Sequence, residues 1–317
     1  MAAYTEPREC KVALLCGGTS GERKISLDSG KGAQAALLEA GFQVTMLDPS
    51  VKQDLNTLVN EHFDVAFIAL HGEGGEDGTM QGMLEILGIP YTGSGVAASA
   101  LAMNKAKSKL IYNAAGIPTP QSFTFTDLAQ ARAAEIGEKL GYPCVVKACS
   151  EGSSNGVYIV QDAAALDEAL TQAFSFSGEV LAEQYILGNE FTVAVMGNNE
   201  IEPLPVIQIV PASDYYDYEA KYAPGGSQHL CPAPIDNTLS EEMQTLAIKA
   251  HQALGCAGVS RTDFIVDAQG KPWALETNTI PGMTSTSLLP DAAQAKGYSF
   301  AMVVKRLIDL AFENFQR

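Results

Sequence analysis

The chain has 317 residues, and this length predicts two or three domains because a single hydrophobic core seldom extends so far. Hydrophobic residues make up 46% and charged residues 18%, an ordinary globular composition that argues against a disordered, collagen-like or coiled-coil chain. The net charge of −17 argues against a general binder of nucleic acid or anionic membranes, because an acidic surface repels phosphates. It leaves open a local basic pocket for a small phosphorylated ligand.

No apolar run has the length needed to span a bilayer, and the N-terminus lacks the apolar segment of a signal peptide. We therefore expect a cytoplasmic protein. The cysteines form no CxxC pair, so we expect reduced thiols at Cys10, Cys16, Cys144, Cys149, Cys231 and Cys256. Cys16, Cys144 and Cys149 lie in apolar segments and are predicted core residues.

The first hundred residues alternate between strand and helix patterns. Residues 11–16, 43–47 and 64–70 are predicted strands, and the third is apolar enough to be buried on both faces. A helical pattern begins near Ile25 and is expected to end at Gly41. This alternation predicts an α/β domain with a parallel sheet and crossover helices.

An Ala-rich helical stretch follows Gly95 and runs to Gly116, and GIPTP (116–120) is a candidate domain boundary. Residues 121–190 mix strand patterns with two helical stretches. The Ser/Gly segment CSEGSSNG (149–156) lies between two of these strands, as a hairpin loop would.

Beyond Gly188 the patterns predict strands at 191–197 and 201–210, a helix at 239–254, an antiparallel strand pair at 261–267 and 272–276, and a helix at 299–315. Residues 211–234 show no periodicity and are rich in Tyr, Asp, Pro and Gly. A loop of this length in a compact domain is usually functional or mobile.

Three loops have the composition of ligand sites. GGTSGE (17–22) follows the first strand and suits an anion, but it does not match GxGxxG and serves equally well as a tight turn. HGEGGEDG (71–78) follows the third strand, and ligands bind at the carboxyl ends of strands in open α/β sheets. Lys147 precedes EGSSNG (151–156), whose amides and hydroxyls suit phosphate oxygens.

A fourth constellation lies on the predicted strand pair near the C-terminus. Residues two apart on a strand share a face. Arg261 and Asp263 are therefore expected to point the same way, as are Glu276 and Asn278. Carboxylate and amide oxygens suit Mg²⁺, which often bridges to substrate phosphates. The alternative is a cross-strand salt bridge on a solvated face. Together these sites predict a metal–nucleotide enzyme without a P-loop, since GxxxxGK[ST] is absent.

Seven motifs resemble those of the D-alanine–D-alanine ligase family, in the family's order: GGTSGERKIS (17–26), HGEGGEDGTMQG (71–82), NKAKSKL (104–110), EGSSNGV (151–157), NEFTV (189–193), YDYEAKY (216–222) and RTDFIVD with ETNTIPGMTSTSL (261–288). The resemblance implies an α/β protein with an ATP-grasp fold in three domains. These would be an N-terminal parallel-sheet α/β domain (1–103), a central lid (104–188) and a C-terminal catalytic α+β domain (189–317).

The resemblance also implies the reaction. ATP phosphorylates the first D-alanine's carboxylate, and the amine of the second D-alanine attacks the acyl phosphate. ATP would be a substrate, with two Mg²⁺ ions, Mn²⁺ being possible. The expected partners are D-alanine, ATP and a second copy in a homodimer, without nucleic acid or membrane. The expected role is cytoplasmic supply of the dipeptide for peptidoglycan.

Site roles carried over from the resemblance fall into four groups. The first D-alanine would contact Glu22 and His71, with a link from Glu22 through Ser153 and Tyr222 to the closing loop. The tetrahedral oxyanion and the second D-alanine would contact Arg261, the Gly282 amide, Ser287 and Leu288. ATP would contact Lys105, Lys147, Ser153, Ser154, Glu183, Ile186, Glu190 and Lys221. The metal ions would be held by Asp263, Glu276 and Asn278.

This chain departs from the family's usual residues at Asn104, Ala148, Asn155, Thr262, Ala274 and Thr277. None of these changes removes a ligand or charge from the inferred site. Three alternatives stay open at this stage. The acceptor could be D-lactate or D-serine, the chain could be a degenerate binder without catalysis, or the first domain could serve an NAD(P)-dependent enzyme, which lacks its fingerprint here.

Overall fold

The computed structural model describes residues 6–131, 133–153, 155–211, 226–284 and 286–315. Within these ranges, helices occur at α1 (Arg23–Glu39), α2 (Lys52–Asn60), α3 (Thr79–Leu87), α4 (Val96–Met103), α5 (Lys105–Ala115), α6 (Ala133–Leu140), α7 (Ala163–Phe176), α8 (Asn237–Leu254), α9 (Leu288–Lys296) and α10 (Phe300–Phe315). None of the helices in the described ranges is long and apolar enough to cross a membrane.

The strands of the described residues form three separate sheets. The N-terminal sheet contains β1 (Lys11–Leu15), β2 (Gln43–Leu47) and β3 (Val65–Ile68); the middle sheet contains β4 (Ser122–Phe125), β5 (Cys144–Ala148), β6 (Val157–Val160) and β7 (Val180–Gln184). The C-terminal sheet contains β8 (Gly188–Met196), β9 (Glu202–Pro203), β10 (Ile207–Pro211), β11 (Ser227–Leu230), β12 (Val259–Asp267) and β13 (Pro272–Asn278).

The N-terminal sheet is parallel, in the order β2–β1–β3, as the alternating pattern predicts. All four residues of β3 are buried, so the prediction of a strand covered on both faces is confirmed. The last helix, α10, returns to this sheet and packs on α1 and β3. Its buried residues Val304, Leu307 and Ile308 follow helical spacing and join Leu37 and Phe67 in one core.

The middle sheet has the order β4–β7–β5–β6 and is antiparallel. Helix α7 starts at the capping residue Asp162, whose side chain accepts hydrogen bonds from the Ala164 and Ala165 amides. Its buried Leu166 and Leu170 pack over the sheet. The loop 149–156 joins two antiparallel strands, β5 and β6, and the predicted hairpin is therefore confirmed.

The C-terminal sheet is antiparallel, in the order β11–β10–β8–β12–β13, with β9 beside β8. Strands β12 and β13 pair as predicted, with Asp263 opposite Glu276 and Arg261 opposite Asn278. A β-bulge follows Asp263 and shifts the register toward the turn. Helices α5 and α8 pack together beside this sheet.

Three local features differ from the sequence-based expectations. The helical stretch after Gly95 is two helices, because Asn104 leaves the helical conformation and its side chain accepts a bond from the Lys107 amide, which starts α5. Part of the expected loop 211–234 is the strand β11, which forms by pairing with β10. The single strand expected over 201–210 is instead two short strands, β9 and β10, which pair separately with β8, because Pro203 and Pro205 have no N–H for a continuous ladder.

Candidate functional site

A cavity of about 1020 Å³ lies between the middle and C-terminal sheets. All six of the predicted ATP-binding residues that the structure describes line it: Lys105, Lys147, Ser153, Glu183, Ile186 and Glu190. Apolar walls come from Val145 on β5, Phe191 on β8 and Phe264 on β12. Such an apolar cleft with a few convergent charges is typical of a nucleotide or cofactor site.

A second, smaller cavity of about 140 Å³ lies between the loops that follow β1 and β3 of the N-terminal sheet and the strands β12 and β13 of the C-terminal sheet. The described residues predicted for substrate and oxyanion binding line it: Glu22, His71, Ser153, Arg261, Gly282, Ser287 and Leu288. Lys105, Ser153, Asp263 and Glu276 line both cavities. Glu151, Gly152 and Ile209 also line both cavities, so the cavities meet at a lysine, a hydroxyl and three carboxylates.

Arg261 is fixed on the site face of β12 by Asp263. Its Nε and Nη2 atoms donate to the two carboxylate oxygens of Asp263, each at 2.9 Å. Thr192 on β8 donates to Asp263 Oδ1 at 2.5 Å. The bidentate contact orients the guanidinium plane, and charge-assisted pairs of this kind are the stronger hydrogen bonds in proteins.

The candidate metal ligands lie on adjacent strands as the sequence predicts. Asp263 and Glu276 are directly opposite each other, and Asn278 is two residues beyond Glu276 on the same strand face. Lys105 Nζ lies 3.1 Å from Glu276 Oε2, so a residue predicted to bind phosphate is adjacent to one predicted to bind metal. Two carboxylates and an amide oxygen are a donor set that fits Mg²⁺.

Glu22 links the N-terminal domain to the loop between β5 and β6. Ser153 donates a short hydrogen bond to Glu22 Oε1, and Ser153 has a left-handed backbone with φ of 52°. Gly152 leaves room for the carboxylate, since a Cβ there would lie 2.6 Å from Glu22 Oε2. The predicted contact between Glu22 and Ser153 is therefore present in the structure.

His71 is buried beside the smaller cavity, and its Nε2 lies 3.0 Å from Ser29 Oγ. Burial, together with the nearby Arg261 charge, lowers the pKa of His71 to about 4. The ring is therefore neutral at physiological pH. Burial and the neighbouring Glu22 raise the pKa of Glu76 to about 8, although the Gly72 amide donates to its carboxylate at 2.7 Å.

Ser287 stands at the start of α9, and the loop before it folds around its hydroxyl. Thr284 contacts Ser287 Oγ through its amide at 3.0 Å and through its hydroxyl at 2.8 Å. Gly282 lies so close that a Cβ would be 2.8 Å from the same oxygen. The Gly282 backbone, the Ser287 hydroxyl and the buried Leu288 thus converge on one side of the smaller cavity.

Thr262 and Thr277, two of the departures noted in the sequence, are buried and bonded. Their hydroxyls lie 2.9 Å apart, and Thr277 Oγ1 lies 2.6 Å from the hydroxyl of Tyr112 on α5. This hydroxyl chain ties β12, β13 and α5 together behind Arg261 and Asp263. Another departure, Asn104, caps α5 and donates to Glu179 at 2.6 Å.

Predicted site residues Ser154, Lys221 and Tyr222 lie outside the described residues. Three residues with no predicted role lie at the site. Lys109 forms a buried ion pair with Glu183 at 2.8 Å, and His229, which lines the smaller cavity, is 2.8 Å from Asp291. The third is Glu76. Lys109 follows Lys105 by four residues, and this spacing places both lysines on one helix face but does not indicate Glu183 as a partner.

Comparison with known proteins extends this description. Two family models match the chain: "D-ala D-ala ligase N-terminus" over residues 47–94 and "D-ala D-ala ligase C-terminus" over residues 111–309. A D-alanine–D-alanine ligase from Desulforamulus reducens is 46% identical over 312 residues, covering 96% of this chain and 99% of the relative.

Solved structures agree. A D-alanine–D-alanine ligase from Bacillus anthracis complexed with ATP has a TM-score of 0.85 and 32% identity, covering 97% of this chain and 99% of that one. The VanG D-Ala:D-Ser ligase from Enterococcus faecalis has a TM-score of 0.84 and 32% identity, covering 95% of this chain and 99% of that one.

The fold and the paired cavities define an ATP-grasp ligase. The larger cavity opens between the two antiparallel sheets, and the smaller cavity faces the N-terminal sheet. The chain belongs to the D-alanine–D-alanine ligase family. The resemblance and the fold class predicted from the sequence are thereby confirmed.

Proposed function

We propose that the chain ligates two D-alanines to D-alanyl-D-alanine, with cleavage of ATP to ADP and phosphate by way of phosphoryl transfer to a D-alanine carboxylate. The observation that carries the proposal is the junction of the two cavities at Lys105, Ser153, Asp263 and Glu276. A nucleotide in the larger cavity would present its terminal phosphate where a small carboxylate in the smaller cavity can reach it. Family membership supports the same reaction.

The first step activates a carboxylate. Glu22 holds the ammonium of the first D-alanine, and the neutral His71 lies near its carboxylate without adding a competing positive charge. One carboxylate oxygen attacks the γ-phosphorus of ATP, the bond to the bridging oxygen of ADP breaks, and an acyl phosphate forms. Lys105 and Lys147, with Ser154 and Lys221, balance the phosphate charge during this transfer.

The second step forms the peptide bond. The amine of the second D-alanine, positioned by Ser287 and Leu288, attacks the acyl carbon. Arg261 and the Gly282 amide stabilise the tetrahedral oxyanion, and its collapse releases phosphate. Tyr222 would complete the link from Glu22 and Ser153 to the closing loop, which keeps water from the acyl phosphate.

The rest of the nucleotide site and the metal site follow the same assignment. Glu183 and Ile186 line the adenine pocket and Glu190 bonds the ribose, on the support of their positions in the larger cavity. Asp263, Glu276 and Asn278 would hold two Mg²⁺ ions, or Mn²⁺. The metal supplies charge neutralisation at the transferring phosphoryl group.

The domain division and the assembly are also proposals. Three separate sheets support an N-terminal domain (1–103), a lid (104–188) and a catalytic domain (189–317). We also propose a homodimer, a cytoplasmic location and a role in peptidoglycan precursor supply, with family membership as the support.

D-serine is the second candidate acceptor, because a D-Ala:D-Ser ligase is among the similar structures. The deciding experiment incubates the chain with ATP, Mg²⁺, D-alanine, D-serine and D-lactate and identifies the products by mass spectrometry. We expect D-alanyl-D-alanine with ADP and phosphate. A mixed product would move the acceptor assignment to D-serine or D-lactate, and bound ATP without any product would indicate a degenerate binder.

A further inference from the structure

Two lysines hold one buried carboxylate, but only one of them reaches the larger cavity. Glu183 Oε2 lies 2.8 Å from Nζ of Lys109, and Glu183 Oε1 lies 2.5 Å from Nζ of Lys147. Lys147 and Glu183 line the cavity, whereas Lys109 does not, and its side chain is 2% exposed. Lys109 is therefore the inner lysine of this cluster, and Lys147 is the outer one.

The inner lysine is anchored away from the cavity. Lys109 Nζ donates to Thr119 Oγ1 at 2.6 Å, and Thr119 in turn donates to the Ala274 carbonyl at 2.8 Å. These hydrogen bonds connect the ammonium of Lys109, on α5, to β13. The side chain of Lys147, on β5, is 12% exposed and lies at the wall of the larger cavity.

The charges of this cluster depend on one another. Burial alone would raise the pKa of Glu183, but Lys109 and Lys147 outweigh it and lower the pKa to about 2, so that the carboxylate is ionised. Leaving a buried carboxylate without any cation is strongly unfavourable. Lys147 can therefore turn toward another anion only if a second cation stays on Glu183.

We propose that Lys109 is a positioning residue for nucleotide binding: it remains on Glu183 as a permanent counter-ion and so frees Lys147 to bind the phosphates of ATP. The inference rests on the proposed function, which supplies ATP as the ligand.

The test compares two ligands that differ in their phosphates. Calorimetric titrations without D-alanine measure the Kd of ATP and of adenosine for the wild type and for Lys109→Met. We expect Lys109→Met to raise the Kd of ATP by roughly 10- to 100-fold, the range expected for a lost hydrogen bond to a charged group. The Kd of adenosine should rise by less than about 3-fold, because adenosine has no phosphate for Lys147 to bind.

Lys107→Met is the matched control. Lys107 lies on the same helix and carries the same charge, but its side chain is 49% exposed and pairs with Glu179. Removing an exposed ion pair has little effect, so both affinities should stay within about 2-fold of the wild type.

The double variant Lys109→Met/Glu183→Gln covers the case in which Lys109→Met alone does not fold. It removes the inner cation and the Glu183 carboxylate together, so that Lys147 no longer has to neutralise Glu183. We expect the double variant to bind ATP within about 10-fold of the wild type, and at least about 10-fold more tightly than Lys109→Met where that single variant folds. An ATP affinity further below that of the wild type would contradict the proposal.

Three further results would overturn the proposal: equal losses for ATP and adenosine in Lys109→Met, an unchanged ATP affinity, or a double variant that binds ATP no better than the single one. A wild type that binds ATP while any of these holds rejects only the role of Lys109. A wild type that binds neither ligand rejects the proposed function together with it.

Discussion

Arg261 is the residue whose removal most directly separates catalysis from nucleotide binding. Its guanidinium is held by Asp263 on the face of β12 that lines the smaller cavity. We expect Arg261→Ala to lower kcat by about 10²- to 10³-fold, the usual loss for one oxyanion donor, because the tetrahedral oxyanion loses its cation. Steady-state kinetics and an ATP titration check this, with the Kd of ATP expected to stay within about 3-fold.

Arg306→Ala serves as the control, since Arg306 pairs with Glu313 at 3.3 Å on the exposed side of α10. Unchanged turnover in Arg261→Ala would remove Arg261 from the oxyanion site. Loss of ATP binding would instead assign it to the nucleotide site.

Residue chemistry was predictable from the sequence where neighbours in the chain share the site. Arg261 and Asp263 share a face because strand side chains alternate, and the structure places them so. The role of Lys109 was not predictable, because its partner Glu183 is far along the chain and meets it only through the packing of α5 beside the middle sheet. Long-range pairing of this kind has no local signal.

At the scale of elements, the hydroxyl chain of Tyr112, Thr277 and Thr262 joins α5 to the two strands that carry Asp263 and Glu276. Thr277→Val leaves the fully buried Tyr112 hydroxyl without this partner. We expect a loss of about 1–3 kcal/mol in the free energy of unfolding by urea. The Mg²⁺ concentration for half-maximal turnover should rise as the strands lose their register.

The variant Tyr112→Phe/Thr262→Val/Thr277→Val is the companion measurement. Removing all three hydroxyls leaves no unpaired partner, so its loss of stability should be smaller than the sum of the three single losses. Additive losses, or wild-type unfolding of Thr277→Val, would show that the hydroxyls do not act as a unit.

Helix α1 supports the loop that carries Gly282. A Cβ on Gly32 would lie 2.2 Å from the Met283 carbonyl oxygen, and Ser29 Oγ accepts from the Met283 amide at 3.3 Å. Gly32→Ala should therefore displace this loop and reduce kcat by about 10²-fold, the effect of a displacement near 1 Å. Kinetics with D-alanine and ATP measure the loss.

Gly82→Ala on α3 is the matched helix control, because its Cβ would lie 3.9 Å from Val96, an ordinary contact. It should keep wild-type activity and gain up to about 1 kcal/mol from helix propensity. Wild-type kinetics in Gly32→Ala would contradict the support of this loop by α1.

Elements with strong periodicity were predicted closely, and those formed by pairing were not. Strands β1 to β3 and helix α8 follow from apolar runs and helical spacing. Strand β11 lies in a stretch without periodicity and exists through its pairing with β10. The return of α10 to the N-terminal sheet is set by tertiary packing, since an amphipathic helix does not specify which apolar surface it covers.

At the scale of the whole molecule, two buried histidines make folding sensitive to acid. Burial lowers the pKa of His71 and of His251 from 6.5 to about 4, with the Arg261 charge adding to the effect at His71 and a Gly197 backbone bond opposing it at His251. The folded pKa is below the unfolded value, so the unfolded chain takes up more protons as pH falls from 6.5 to 4. The contribution of these two histidines to the free energy of unfolding is therefore lost as pH falls through this window. Above the window that contribution is fully present.

His251→Gln isolates one of these contributions away from the cavities. His251 is fully buried and its Nδ1 lies 2.8 Å from Ser260 Oγ. Between pH 7 and 5 the wild type should lose about 2 kcal/mol more stability than His251→Gln, by the linkage of one proton. Urea unfolding at both pH values measures the difference, and equal losses in the two chains would contradict the pKa of His251.

In the proposed reaction, ATP activates the first D-alanine as an acyl phosphate where the two cavities meet. The most direct measurement uses D-alanine labelled with ¹⁸O in its carboxylate and follows the label by mass spectrometry. The attacking carboxylate oxygen leaves with the phosphate when the amine displaces it. We therefore predict one labelled oxygen in each released phosphate and one in the new peptide carbonyl. Unlabelled phosphate released alongside ADP would contradict the account, because it would mean that water, not D-alanine, receives the phosphoryl group.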